Sequence, residues 1–153
     1  MINTIRIAIL IFFIMLSSCE YKPIFSTNKS NFAITEIKFV GEKRIASKIN
    51  NNLKIYNNTE DKNIFYNLEI YANKEKNIIT RDAKGNPKLF EIKILIDLVI
   101  LENNEIKNKK KIVKNFTYNN NSNKFDLKQY EKNIENNLMD EIISEIILHL
   151  YSM

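Results

Sequence analysis

The chain has 153 residues, 23 basic and 18 acidic side chains, one His and one Cys, a length that suits a single domain. One thiol excludes an internal disulfide, and with a lone His it excludes a thiolate or clustered-His metal site. The formal charge of +5 is mild and spread along the chain, only Arg44 and Arg81 follow residue 18, and no aromatic-plus-Arg RNA-binding motif occurs, so nucleic acid is not an expected partner.

In chain order, the first signal is an apolar run from Ile7 to Leu16 that ends in Leu16-Ser17-Ser18-Cys19. The positive amino terminus and Arg6, a run of about ten apolar residues and a small-residue cleavage site are the ordered parts of a signal peptide. A bilayer span needs about 20 apolar residues, so the run is too short for one. The four residues resemble the lipobox of bacterial lipoproteins. There the thiol accepts a diacylglycerol, the chain is cut before it, and small residues on the leaving side admit the protease. Residues 1–18 then form a lipoprotein signal peptide, Cys19 is the lipid attachment site and 19–31 is a polar, Pro-containing tether. The alternatives are an uncleaved N-terminal anchor or a buried first strand. Removing residues 1–18 from 153 leaves 135; Arg6 is the only charge lost, so 22 basic against 18 acidic residues give a net of +4.

Residues 32–153 read as one domain. Asn31–Val40 is rich in β-branched and aromatic residues with imperfect alternation, which predicts a strand stopped by Gly41. Ile45, Ile49, Leu53 and Tyr56 recur at helical spacing among lysines, which predicts an amphipathic helix of about four turns. A strand follows within 63–81. Arg81-Asp82-Ala83-Lys84-Gly85-Asn86-Pro87 is the strongest turn signal in the chain. Phe90, Ile92, Ile94, Ile96, Leu98 and Ile100 then alternate with Glu91, Lys93 and Asp97, the clearest period of two in the sequence. Leu95, Val99 and Leu101 make its second face partly apolar. Glu102–Glu105 predicts a hairpin turn, and the charged strand from Ile106 to about Tyr118 suits an edge. Asp126 and Gln129 are spaced as a capping box, with Phe125 and Tyr130 as a hydrophobic staple. Leu127, Tyr130, Ile134, Leu138, Ile142, Ile146 and Leu150 predict a helix of nearly seven turns. Its other face carries Glu131, Glu135, Asp140, Glu141 and Glu145.

The order β-α-β-β-β-α predicts an α+β two-layer sandwich. Both helices pack on one face of a four-stranded, mostly antiparallel sheet, with a parallel pair allowed at the first crossover. The other face is left to solvent or a partner.

Catalytic signals are few. His149 lies within the last helix with no partner base or nucleophile, and Asp97 is an outward strand carboxylate. No phosphate loop, metal spacing or nucleophile elbow is present. The expectation is a protein that is not an enzyme, with no catalytic residues, no metal and no cofactor. One cluster keeps a binding role open: Arg81, Lys84 and Lys88 gather at the central hairpin, where lysine and arginine hold phosphates through charge-assisted hydrogen bonds.

From the lipobox through Cys19-Glu20-Tyr21-Lys22-Pro23-Ile24-Phe25 to the strand-helix pair and the long last helix, the pattern resembles the LPS-assembly lipoprotein family (LptE-like). Its members commonly begin Cys-Gly-Tyr/Phe; here Glu20 replaces the small residue. The resemblance implies an outer-membrane lipoprotein, anchored by its lipid on the periplasmic side. It would plug a β-barrel LPS-assembly protein (LptD-like) and assist lipopolysaccharide delivery, with Arg81, Lys84 and Lys88 as the lipopolysaccharide contacts. Glu20 also differs from the Asp that commonly retains such proteins at the inner membrane. The alternative is an envelope-anchored adaptor or ligand-binding module of other function.

Overall fold

The computed structural model describes residues 30–153. The expected signal peptide, Cys19 and the tether up to residue 29 lie outside the described residues. The elements are β1 (Phe32–Val40), α1 (Lys43–Leu53) continued by a 3₁₀ turn at Lys54–Tyr56, β2 (Ile64–Arg81), β3 (Pro87–Glu102), β4 (Glu105–Asn119) and α2 (Lys124–Tyr151). The sheet runs β1-β2-β3-β4. β1 is parallel to β2, and the other two pairs are antiparallel. The expected two-layer α+β sandwich is what forms.

The core lies between the sheet and both helices. From the sheet come Leu68 and Ile70 of β2, Ile94 to Ile100 of β3 in alternation, and Ile112 of β4; from the helices come Ile45, Ile49, Leu53, Ile142 and Ile146. The imperfect alternation of β1 has a structural cause. The register slips between Ile34 and Glu36, so Phe32 and Ile34 face inward before the bulge while Ile37 and Phe39 pack on the core after it. A bulge inserts one unpaired residue and so reverses the facing of everything beyond it. Thr35 is that residue, and its hydroxyl donates to Asn67 Oδ1 (2.5 Å), with the Tyr66 carbonyl oxygen 3.3 Å from the same Oγ1.

Gly41 ends β1 at φ +140°, where an added Cβ would collide with the Ala72 carbonyl oxygen and lie 3.2 Å from the Ala72 Cβ. The second hairpin turns on Asn103 and Asn104, both at positive φ (54° and 66°), the backbone that matches the twist of paired strands.

Two expectations for α2 are corrected. The N-cap is Asn123, whose side chain accepts from the backbone N–H of Phe125 (3.0 Å) and Asp126 (3.3 Å). Asp126 therefore sits inside the first turn, and Phe125, 79% exposed, makes no staple with half-exposed Tyr130. The acidic residues are not all on the solvent face either: Glu135 is buried at 7% exposure.

Candidate functional site: a cationic groove and a basic hairpin tip

The helix layer is shorter on one side than the sheet it covers. α1 has 11 residues and α2 has 28, about 16 Å against about 42 Å. α1 runs back along β1 until Tyr56 stacks on Phe32 (ring centroids 5.5 Å apart). The far halves of β2 and β3 therefore have α2 above them and no second helix beside it. A groove of about 510 Å³ opens there, walled by Arg44 at the start of α1, Lys74 and Lys76 of β2, Ile92 of β3, and Phe125 to Glu135 of α2. That is within the range of small-molecule sites.

Its lower end is a charge clasp. Glu135 Oε2 lies 3.3 Å from Lys74 Nζ and 3.5 Å from an Arg44 guanidinium nitrogen, and Lys74 also reaches Glu42 at 2.8 Å. Burial opposes the charge on Lys74, but its bonds to Glu42 and Glu135 outweigh this and hold its pKa above the usual lysine value. The pairs tie α1, α2 and β2 together; Lys48, bonded to the Asn136 carbonyl and paired with Asp140 (both 2.8 Å), adds a second tie between the helices.

Along the upper wall, Glu131 Oε1 accepts from Lys76 Nζ (2.6 Å) and Tyr118 Oη (2.7 Å). Burial pushes the Glu131 carboxyl up, yet those two hydrogen bonds prevail and leave it below its ordinary range. Lys76 also stands 4.5 Å over the Phe90 ring, within cation–π reach. Glu131 and Glu135 are thus matched by Arg44, Lys74 and Lys76, while Glu75, which also lines the groove, alternates with the inward Lys74 and Lys76, is cross-strand partner to Lys93 and accepts from the Asn73 amide (3.0 Å). Lys128 and Lys132 are exposed and form no hydrogen bond or ion pair with other described residues. Ile92 supplies an apolar floor, and Phe125 stands exposed at the rim.

Sequence reading did not find this groove. The signal was present in β2, where the inward positions Leu68, Ile70 and Ala72 give way to Lys74 and Lys76, paired with Ile94 and Ile92 on the core face. A charge at a core-facing strand position implies a missing cover or a partner.

The nominated Arg81, Lys84 and Lys88 lie at the β2–β3 hairpin, at the opposite end of the sheet from Phe32. All three stand at this tip, where the Lys88 charge acts on Asp82 of the same turn. Arg81 donates to the Gly85 carbonyl (2.9 Å) and so closes the turn. Asp82 accepts from the backbone N–H of Lys84 and Asn86, and the bonds from Asn86 lead in holding its carboxyl below the usual range. Lys84 and Lys88 project into solvent.

The remaining candidates lie outside both the groove and the tip. His149 is half-buried with Nε2 unpaired among the described residues, and burial lowers its pKa. Asp97 is exposed on the outer sheet face opposite Lys111. Among the described residues no group of three or more His, Cys, Asp or Glu is placed to hold a metal. No described helix is long and apolar enough to cross a membrane.

No protein-family model matches the chain, and no curated protein is a significant match. Solved structures do match. Rare lipoprotein B from Shewanella oneidensis superposes with a TM-score of 0.59 at 13% identity, covering 76% of this chain and 94% of that one. The chain shares that fold. A minor lipoprotein from Acinetobacter baumannii gives a TM-score of 0.59 at 10% identity, covering 78% and 90%. An uncharacterized lipoprotein B from Nitrosomonas europaea gives 0.57 at 12%, covering 80% and 86%. At such identities the likeness is one of fold, and it spans nearly the whole of each neighbour's chain.

Proposed function

We propose that this chain is an outer-membrane lipoprotein, lipidated at Cys19, that seats in a β-barrel LPS-assembly protein and assists lipopolysaccharide assembly. The observation that carries the reading is the fold, shared over most of the chain with proteins named as lipoproteins. The lipobox pattern at Leu16–Cys19 supports it independently.

The reading also has a workable geometry. The tether enters at Phe32, where β1 starts beside the start of β2. β2 has 18 residues, so at about 3.3 Å per residue its hairpin tip stands roughly 56 Å from that end. A domain held by acyl chains at Cys19, each buried CH₂ contributing about 0.8 kcal/mol, would carry Arg81, Lys84 and Lys88 away from the anchor. There they would meet lipopolysaccharide phosphates inside or beyond the barrel. The bare outer sheet face, with Val40, Tyr71 and Val113 exposed, is available to a barrel wall. No catalytic step is part of this role. The groove supports a second reading, an envelope-anchored ligand-binding lipoprotein.

The test is affinity purification of the full-length, lipidated protein from its own envelope, with mass spectrometry of the co-purifying chains. One large β-barrel protein in one-to-one ratio is expected, and Arg81→Ala/Lys84→Ala/Lys88→Ala should bind lipopolysaccharide several-fold more weakly. Recovery alone, or with inner-membrane proteins only, overturns the barrel role; unchanged binding by the triple variant overturns the tip contacts.

A further inference from the structure

We propose that the groove between α1, α2 and the far half of β2 binds a single acyl chain carrying a phosphate or carboxylate head group. It is a site separate from the hairpin tip and does not depend on the barrel role.

The apolar part of the argument starts from the floor. Ile92 belongs to the inward face of β3, and beside it Phe90 is cross-strand partner to Ile78, which is 42% exposed. Apolar surface thus continues along the core-facing side of the sheet past the reach of α1. Phe125 overhangs the same space at 79% exposure. At that exposure most of the ring is left to water, and burying one side chain of this size contributes about 1.5–3 kcal/mol. A volume of about 510 Å³ suits one chain and excludes a bundle of several.

Charge gives the sign of the head group. Glu131 and Glu135 are neutralised within the wall by Lys76, Lys74 and Arg44. The groups left over on α2 are Lys128 and Lys132, one helical turn apart and so on one face. An anionic head group placed there gains two ammonium donors without breaking an existing pair. A cationic or neutral head group gains nothing comparable.

The source of such a chain has two forms, a single-chain lipid or one acyl chain of a larger glycolipid, and the experiment separates them. Full-length lipidated protein held in amphipol is irradiated with palmitate bearing a diazirine on its chain, and cross-linked peptides are mapped. Adducts should concentrate on the segments that contain Ile92 and Phe125. Excess dodecyl phosphate should suppress them at least tenfold, and dodecylamine, with the same chain and opposite charge, should not.

Lys128→Glu/Lys132→Glu and Phe125→Ala, all at exposed positions, should each lower the yield several-fold or more while far-UV circular dichroism stays unchanged. Lys54→Glu, on the remote 3₁₀ turn, should leave it as it is. Suppression by purified lipopolysaccharide would trace the chain to a glycolipid, and its absence would assign the groove to single-chain lipids. Adducts spread over the outer sheet face, equal competition by dodecylamine, or yields indifferent to the two α2 variants would overturn the proposal. Because the assay contains no barrel protein, its failure leaves the barrel role untouched, and the reverse also holds.

Discussion

Replacing Gly41 by Ala tests the packing of α1 against the sheet more directly than any core truncation. Two costs add. The backbone at φ +140° lies where L-residues rarely go, and such a strained conformation costs on the order of 1–3 kcal/mol. The new Cβ also meets the Ala72 carbonyl, a backbone atom in the middle of β2 that cannot rotate away. Displacing packed elements to make room costs roughly a further 1–3 kcal/mol. The sum, about 2–6 kcal/mol, is a large share of the roughly 5–15 kcal/mol that holds a domain together.

Gly85→Ala is the control. It too has positive φ (+83°), but nothing lies within 4 Å of its added Cβ, so only the backbone cost of about 1–2 kcal/mol applies. Urea denaturation of the full-length chain, followed by far-UV circular dichroism, separates the two. With a slope of about 2 kcal/mol per M, Gly41→Ala should lower the midpoint by roughly 2 M and Gly85→Ala by less than about 1 M. Equal shifts would refute the steric part of the argument; a Gly41→Ala shift below about 0.3 M would refute both parts.

Two further outcomes are expected. Glu135→Ala should destabilise by about 1–2 kcal/mol in the same urea assay. Breaking a fully buried pair costs about 3–5 kcal/mol, but Lys74 keeps Glu42 and the Arg44 side chain is 48% exposed. Adding Lys74→Met to Glu135→Ala should cost less than the sum of the two single changes, and simple additivity would argue against a shared clasp. For His149, burial first and the Lys110 charge second lower its pKa below 6.5, with Glu145 pulling the other way. The unfolded chain therefore takes up the proton first as pH falls. The stability tied to neutral His149 is complete above about pH 6.5 and is lost progressively below it. NMR titration should place its pKa under 6.5, and His149→Gln should flatten the stability change between about pH 7.5 and 5.5. An NMR value at or above 6.5 would contradict the burial argument.

Much of the fold was legible because its signals are periodic and local. The inward series Phe90 to Ile100 can satisfy only a strand with one covered face, and Ile45, Ile49, Leu53 and Tyr56 line up only on a helix. The Asn103-Asn104 turn and the breaks at Gly41 and Gly85 depend on backbone freedom that those residues carry themselves. The cap was misassigned because Asn123 and Asp126 are both competent N-caps. The choice between them depends on where the chain leaves β4, which tertiary structure sets through the Asn120 N–H bonded to the Lys88 carbonyl.

What the sequence by itself determined is the set of elements, their order and, outside the bulged β1, their apolar faces, since each follows from spacing along the chain. What only the tertiary structure decided is which charges meet. Lys74, Lys76, Arg44, Glu131 and Glu135 come from three elements and converge because a short helix and a long one share a long sheet. The space the short helix leaves uncovered becomes the groove. No local pattern reports the difference between two helix lengths measured across a sheet, so the site that difference creates is visible only once the layers are packed.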